Sequence, residues 1–362
     1  AARLYTPSEI GIAATLISAT TLIAYLSLLG LNNSLVRFLP MSDNRDAEVS
    51  QSVLITAGGG LLIATAYVLL APVVAPRLVL LSDNRTHAVL FVILTAAAAA
   101  NLLTDSVFIA LRGAQYNLLV DGIMQSLLKV ALVAPLAVLG AFGVYVAYGA
   151  AAVIAVIVSI VLLRRVMGIR LHRGDPRTLR RYLGYSGGTY VSACLNLLPI
   201  LALPLIILNA KGAAAAGYYF VAFQIATLLN SISFAICDSA FAEGAHDAGS
   251  LRRVARRSGK LVFTAQAAGA LVVALAAPLA LTFFGGDYAD QATDVLIMFA
   301  VASLAVAFNT WTGTLLKLTG NGMSWLIWSH VVYALVIVVG GQMLAHRELI
   351  WMAAIWGIGN AL

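Results

Sequence analysis

Ten times along this chain an apolar run of about 20 residues is followed by a short polar segment. That recurrence leaves few folds open. At 1.5 Å per residue, a helix of such length matches the roughly 30 Å hydrocarbon core of a bilayer. Charged residues make up 10% of the chain and collect between the runs, where a soluble domain would carry roughly 25% throughout. Within hydrocarbon, backbone groups must be paired inside the segment, so the runs are expected to be helices. The expected fold class is therefore all-α, a polytopic membrane protein.

The spans are expected at 11–31, 53–74, 88–111, 118–139, 142–163, 187–208, 217–241, 261–284, 292–316 and 325–344, with a shorter eleventh from about 349. Lysine and arginine set the orientation. Sixteen of the 22 lie in segments after odd-numbered spans and four after even-numbered ones, with Arg3 at the start and Lys129 inside a span. The odd segments are thus expected in the cytoplasm, in a plasma (inner) membrane. The densest runs from Arg164 to Arg181, with seven arginines against Asp175. It reads as a cytoplasmic anchor, and its segment 177–182 as a short amphipathic helix on the anionic leaflet. Nucleic acid is not an expected partner beside so many apolar runs.

A shift of 206 residues places Gly11 on Gly217, Thr21-Leu22 on Thr227-Leu228, Ser27 on Ser233 and Ala71-Pro72 on Ala277-Pro278. A slip of two more brings Asn101 and Thr104 onto Asn309 and Thr312. Because this offset covers six spans, the copies share one orientation, as in two-lobed transporters. The expected domains are 1–163, a basic inter-lobe segment at 164–183, and 184–362, around a central cavity. On this repeat the first copy is expected to lack its first helix and the last helix to be cut short.

Ionisable groups inside a membrane are costly, and each is a functional candidate. Asn101, Asp105 and Arg112 share one helical face, and Asp121, Gln125 and Lys129 share another. With a hairpin turning near Tyr116-Asn117, Arg112 should face Asp121 and Asp105 should face Lys129, a ladder of two ion pairs. Pairing alone gains little net stability; a water-filled cavity is the functional alternative. Gln224, Thr227, Ser231 and Asp238 share a face of the seventh span, with Asn230 and Asn196 as further polar candidates. Cys194 and Cys237 lie in apolar runs and read as small buried residues. Gly58-Gly59-Gly60 lacks the Lys-Ser/Thr of a phosphate loop and reads as close helix packing. No cofactor, metal site or catalytic constellation is expected, and the chain is not read as an enzyme.

Ala2-Arg3-Leu4-Tyr5-Thr6-Pro7-Ser8-Glu9-Ile10-Gly11 resembles the loop after the first helix of polysaccharide flippases. These form part of the multidrug/oligosaccharidyl-lipid/polysaccharide exporter superfamily. Asp105 to Arg112, Tyr185 to Tyr190, Gly217 to Phe223, Ala240 to Glu243 and Phe284 to Tyr288 are similar to further segments of that family. The resemblance implies a bundle of 12 or 14 helices in two lobes. It also implies flipping of an undecaprenyl-phosphate or -pyrophosphate linked oligosaccharide by alternating access, for cell-envelope polysaccharide synthesis. Arg112 and Lys129 would then meet phosphate, while Asn101, Gln125, Asn196, Gln224 and Asn230 would meet sugar hydroxyls. Asp105 and Asp238 are coupling candidates, and Asp121 an ion-pair candidate. Partners would be membrane lipids, and a polymerase or glycosyltransferases. The alternatives are a cation- or proton-coupled multidrug efflux pump and a non-transporting scaffold of a polysaccharide synthesis complex.

Overall fold

The structure is a computed structural model, and it describes residues 4–170, 187–246, 251–318 and 322–362. Arg173, Arg177, Arg180 and Arg181 of the basic stretch, with the amphipathic helix expected at 177–182, fall outside the described residues. Among the described residues every long element is a helix: α1 Pro7–Ser27, α2 Arg45–Val74, α3 Arg85–Ala110, α4 Ala114–Val133, α5 Ala141–Arg165, α6 Gly187–Lys211, α7 Ala213–His246, α8 Leu251–Thr282, α9 Gly286–Leu318, α10 Gly322–Leu344 and α11 Ile350–Ala361. The first ten overlap the ten expected spans and are long and apolar enough to cross a membrane; α1 ends four residues before the expected 31, and α4 ends at Val133, six before the expected 139. Two compact units emerge, one made of Ile12–Leu197 with residues 4–5, the other of Leu198–Leu362 with Thr6–Gly11.

The local sequence explains where helices start. At α1, Thr6 and Glu9 form a capping box. The Glu9 carboxylate accepts from the Thr6 backbone N–H at 2.8 Å, and Thr6 Oγ1 accepts from the Glu9 N–H at 3.3 Å. Pro7 opens the helix, where its missing N–H costs nothing. Asn44 and Asn84 cap α2 and α3 through side-chain oxygens accepting from Ala47 and Thr86. Thr6→Ala should destabilise the protein by about 1 kcal/mol, read as a lower thermal midpoint in detergent, with Thr6→Ser close to the parent.

In the first unit the core is layered. Thr20 Oγ1 lies 3.1 Å from Thr95 Oγ1 and 3.0 Å from the Tyr145 hydroxyl, joining α1, α3 and α5 through a fully buried polar knot. Phe91 stacks between Tyr67 and Tyr145. Towards the other end, Leu28, Leu35, Leu103, Phe108, Leu163 and Ile169 form a hydrophobic cluster. The glycine triplet divides: a Cβ on Gly60 would stand 3.0 Å from Ala96 Cα, whereas Gly58 has open space around it. Close packing thus holds for Gly60 and not for Gly58.

The second unit is knit by rings. Phe223 meets Tyr219, Phe299 and Trp356, and Trp356 meets Tyr333, so α7, α9, α10 and α11 share one aromatic centre. Asn309 donates to Asn360 Oδ1 at 3.1 Å, linking α9 to α11. At the start of α7, Gly217 packs against Gly11 without room for a side chain on either. A Cβ on Gly11 would meet the Ala213 carbonyl oxygen at 1.8 Å, and one on Gly217 the Pro7 carbonyl oxygen at 2.1 Å. Gly11 and Gly217, like Pro7 and Ala213, are separated by the repeat offset of 206, so the crossing is self-complementary.

Candidate functional site

The densest polar cluster inside the first unit is built by α3 and α4. Asn101 and Asp105 sit one turn apart on α3. On α4, Asp121 and Gln125 lie in a π-helical stretch, Leu118–Gln125, and Lys129 in the α-helical stretch Ser126–Val133 that follows. Such π-helical turns are rare and concentrate at functional positions.

Asp121 Oδ1 accepts from Asn101 Nδ2 at 2.8 Å and from Gln125 Nε2 at 2.9 Å. Gln125 Oε1 accepts in turn from Lys129 Nζ. The Lys129 ammonium stands 4.3 Å from the centroid of the Tyr148 ring, a cation–π contact. The carboxyl of Asp105 lies against that of Asp121. A continuous polar line therefore runs from Asn101 through Asp121 and Gln125 to Lys129.

Three buried oxygens of this cluster have no hydrogen-bond partner: Asn101 Oδ1, Asp105 Oδ1 and Asp121 Oδ2. All three residues line one hollow of about 150 Å³, walled by Thr21, Ala24, Gln125 and Tyr148 among others. An unmatched buried acceptor costs about 1–3 kcal/mol. Three on one hollow select a small positive occupant, either a proton or a hard cation that takes oxygen ligands. The hollow is smaller than the roughly 300 Å³ at which small-molecule pockets begin.

The expected ladder of ion pairs does not form. Asp121 meets Asn101 and Gln125 where Arg112 was expected, and Lys129 bonds Gln125 where Asp105 was expected. The turn explains the difference. α3 ends in a Schellman motif, with Gly113 N–H bonded to the Phe108 carbonyl at 2.7 Å and Arg112 N–H to that of Ile109 at 3.1 Å. The chain thus reverses at 111–113, about five residues before Tyr116-Asn117, and the facing residues shift accordingly. Arg112 occupies the left-handed position of this motif, at φ 57°, which costs a non-glycine residue roughly 1 kcal/mol. Its side chain is exposed at the helix end and does not line the hollow.

The other candidates lie elsewhere. Asn196 is half-buried on α6 and does not line the hollow. Asn230 is buried on α7, where its Oδ1 accepts from Gln266 Nε2 at 3.4 Å, and Ser233 donates to Gln266 Oε1 at 2.7 Å. Gln224, Thr227, Ser231 and Asp238 are all exposed along one face of α7. Sequence reasoning missed Thr21, Tyr148 and Gln266 as neighbours of these groups. Each is an uncharged residue within a membrane-length run, and only helix packing tells what it faces. Among the described residues no group of three or more His, Cys, Asp or Glu could hold a metal ion.

Residues 1–241 match the family model described as polysaccharide biosynthesis protein. The chain belongs to that family. Comparison with curated proteins gave no match. Solved structures similar to this polysaccharide biosynthesis family member include an inward-facing multidrug resistance MATE-family transporter of the MOP superfamily. The likeness has a TM-score of 0.81 at 16% identity, over 98% of this chain and 88% of that one. A MOP-superfamily transporter from Pyrococcus furiosus, described as having a binding pocket of reverse polarity, gives 0.64 at 14%, over 98% and 84%. A MATE structure in the bent conformation gives 0.59 at 15%, over 99% and 91%. This member of the polysaccharide biosynthesis family thus has the fold of the MOP-superfamily structures, with ten helices long and apolar enough to cross a membrane.

Proposed function

We propose that this transporter flips an undecaprenyl-phosphate or -pyrophosphate linked glycan from the inner to the outer leaflet of the plasma membrane, driven by cation exchange at Asp105 and Asp121. The odd-numbered connections, rich in arginine, face the cytoplasm in this reading. The observation that carries it is the exposed face of α7, where Gln224, Thr227, Ser231 and Asp238 succeed one another on a membrane-spanning helix. The Thr227 and Ser231 hydroxyls donate to carbonyls of their own helix, at 2.8 and 2.6 Å, but an amide and a carboxylate are costly against lipid tails, which supports a water-lined face. The same groups are the partners that sugar hydroxyls take. Membership of a polysaccharide biosynthesis family supports a glycan as the cargo.

The hollow between α3, α4 and α5 supports a separate coupling role, since about 150 Å³ with three unpartnered oxygens suits a cation better than a sugar. Asn101 and Gln125, first read as sugar ligands, act in this scheme by holding Asp121. Lys129 is a resident counter-charge next to the acids. Arg112, at the mouth of the hairpin, remains available to a phosphate.

The test is a reconstituted flipping assay on the full-length protein, with a fluorescent lipid-linked glycan and a cationic dye as competing cargoes under an imposed cation gradient. Gradient-dependent movement of the glycan in preference to the dye is expected. Preferential movement of the dye would establish an efflux pump instead. Movement of neither would favour a scaffold role.

A further inference from the structure

Among the described residues of the first unit, Lys129 is the one lysine or arginine placed inside a membrane-length helix; the others stand at helix ends or between these helices. A cation there is costly, and direct pairing with Asp105 or Asp121 would be the plain reason for it. Its ammonium is held instead by the Gln125 amide and the Tyr148 ring. We propose that Lys129 is a substitute cation, which swings into the hollow of Asp105 and Asp121 during the part of the cycle in which the transported cation or proton is absent. This rests on the coupling role given to the hollow above and deepens it.

The ammonium rests next to the hollow and outside it. Gln125 Oε1 accepts from its Nζ, and the centroid of the Tyr148 ring lies 4.3 Å away. Both of these residues line the hollow, and Lys129 does not. In the line of hydrogen bonds, the Gln125 amide is the one group between the ammonium and Asp121 Oδ1, which accepts from Gln125 Nε2 at 2.9 Å. Two hydrogen bonds of ordinary length and one amide put Nζ within about 8 Å of that carboxylate. A four-carbon stem with rotatable bonds covers the remaining distance once Gln125 turns aside. The contacts that hold the ammonium, a neutral amide and a ring face, are weaker than a carboxylate and are readily exchanged for one.

What the hollow lacks is what an ammonium brings. Asn101 Oδ1, Asp105 Oδ1 and Asp121 Oδ2 are three acceptors without partners, and a lysine carries three donors. No cation is among the described residues that line the hollow. With its occupant gone, two carboxyls face each other between walls that include Ala24, Ala98, Leu102 and Ala152, where charge is poorly solvated. While a cation or proton sits there, the ammonium gains nothing by entering. Lysine suits the exchange better than arginine, because it is a compact point charge on a turning stem, and a guanidinium is made for a fixed fork.

An internal competitor does two things for a transport cycle. It weakens binding of the occupant, so that the occupant can leave on one side of the membrane. It also spares the vacant hollow from carrying bare carboxylates through hydrocarbon, so that the vacant protein can change conformation. The titratable groups around the hollow are Asp105 on α3, Asp121 and Lys129 on α4, Tyr25 on α1 and Tyr148 on α5. Of these, only the carboxyls and the ammonium are of types that carry charge near neutral pH.

The experiment uses the full-length protein in lipid bilayers, isotope-labelled at lysine nitrogen and aspartate carboxyl carbon, and magic-angle-spinning NMR. Three conditions are compared: saturating sodium at alkaline pH, acid without sodium, and alkaline pH with N-methylglucamine as the cation. A contact between Lys129 Nζ and an aspartate carboxyl carbon is expected in the third. Its loss in sodium identifies a metal ion as the occupant, and its loss in acid a proton. Either Lys129→Met or Lys129→Arg removes the signal and so assigns it. Lys129→Met should also bind the occupant at least about tenfold more tightly, read as half-saturation at lower sodium or a pH midpoint about one unit higher. A contact present in all three conditions, or in none, would overturn the proposal, because the ammonium would then be fixed. Unchanged half-saturation in Lys129→Met, shown by a thermal melt to be folded, would overturn it as well. The flipping assay on the parent tests the coupling role separately: a contact that comes and goes in a protein moving no glycan under a gradient would overturn that role and not the exchange at the hollow.

Discussion

Asp121→Asn is expected to leave the protein folded and to reduce gradient-driven transport to background. The substitution retains an oxygen to accept from Asn101 and Gln125, so the bonds at 2.8 and 2.9 Å survive. The new amide nitrogen falls where Asp121 Oδ2 stood, beside the unpartnered Asn101 Oδ1 and Asp105 Oδ1. It can donate to either, filling the hollow's demand for a positive group permanently. The site is then locked in its occupied form, and a thermal melt should show equal or higher stability. Asp121→Ala differs because it strands two buried donors at about 1–3 kcal/mol each. That variant should lose both transport and stability. Transport is read in proteoliposomes with and without the gradient; wild-type rates in Asp121→Asn and Asp105→Asn would remove the coupling role of the hollow.

Gly11→Ala and Gly217→Ala should be the most destabilising alanine substitutions at glycines of α1 and α7. Each adds a methyl group at 1.8 or 2.1 Å from a backbone carbonyl oxygen, and neither carbonyl can move without its helix. Overpacking of this kind costs about 1–3 kcal/mol and can cost more. Gly58→Ala is the control, since its Cβ meets nothing within 4 Å; removing a helix-interior glycine there should gain up to about 1 kcal/mol. Thermal unfolding in one detergent orders the three variants. If Gly11→Ala and Gly58→Ala melted together, the tight crossing would not exist in the folded protein.

The ten long helices were legible because each contains a run of hydropathy that a bilayer-length helix must have. Their polar partners were less so. The ladder of Arg112 with Asp121 and Asp105 with Lys129 assumed regular α-helices meeting at Tyr116-Asn117. The chain instead turns at Arg112-Gly113 with an arginine in the left-handed position that glycine usually fills, and then enters a π-helical stretch. Neither departure has a signature in residue types, and each rotates side chains away from their expected partners. The capping box at Thr6 and Glu9 was the opposite case. It was visible as part of a family-like loop, and its atoms explain why those residues stand there. Whether Gly58, Gly59 or Gly60 packs closely depended on which face meets α3, which hydropathy does not encode.

The repeat that relates Asn101 to Asn309, with its slip of two residues, does not carry over their surroundings. Asn101 grips a carboxylate, Asp121, whereas Asn309 grips another amide, Asn360. A membrane voltage exerts no net force on the amide pair, but it acts on a carboxylate whenever its charge moves, at about 2.3 kcal/mol per elementary charge per 100 mV. Of these two related positions, only the one on α3 can therefore act as a voltmeter. Transport currents should keep their voltage dependence when Asn309 or Asn360 is changed, whereas Asp105→Asn and Asp121→Asn should leave no gradient-driven current.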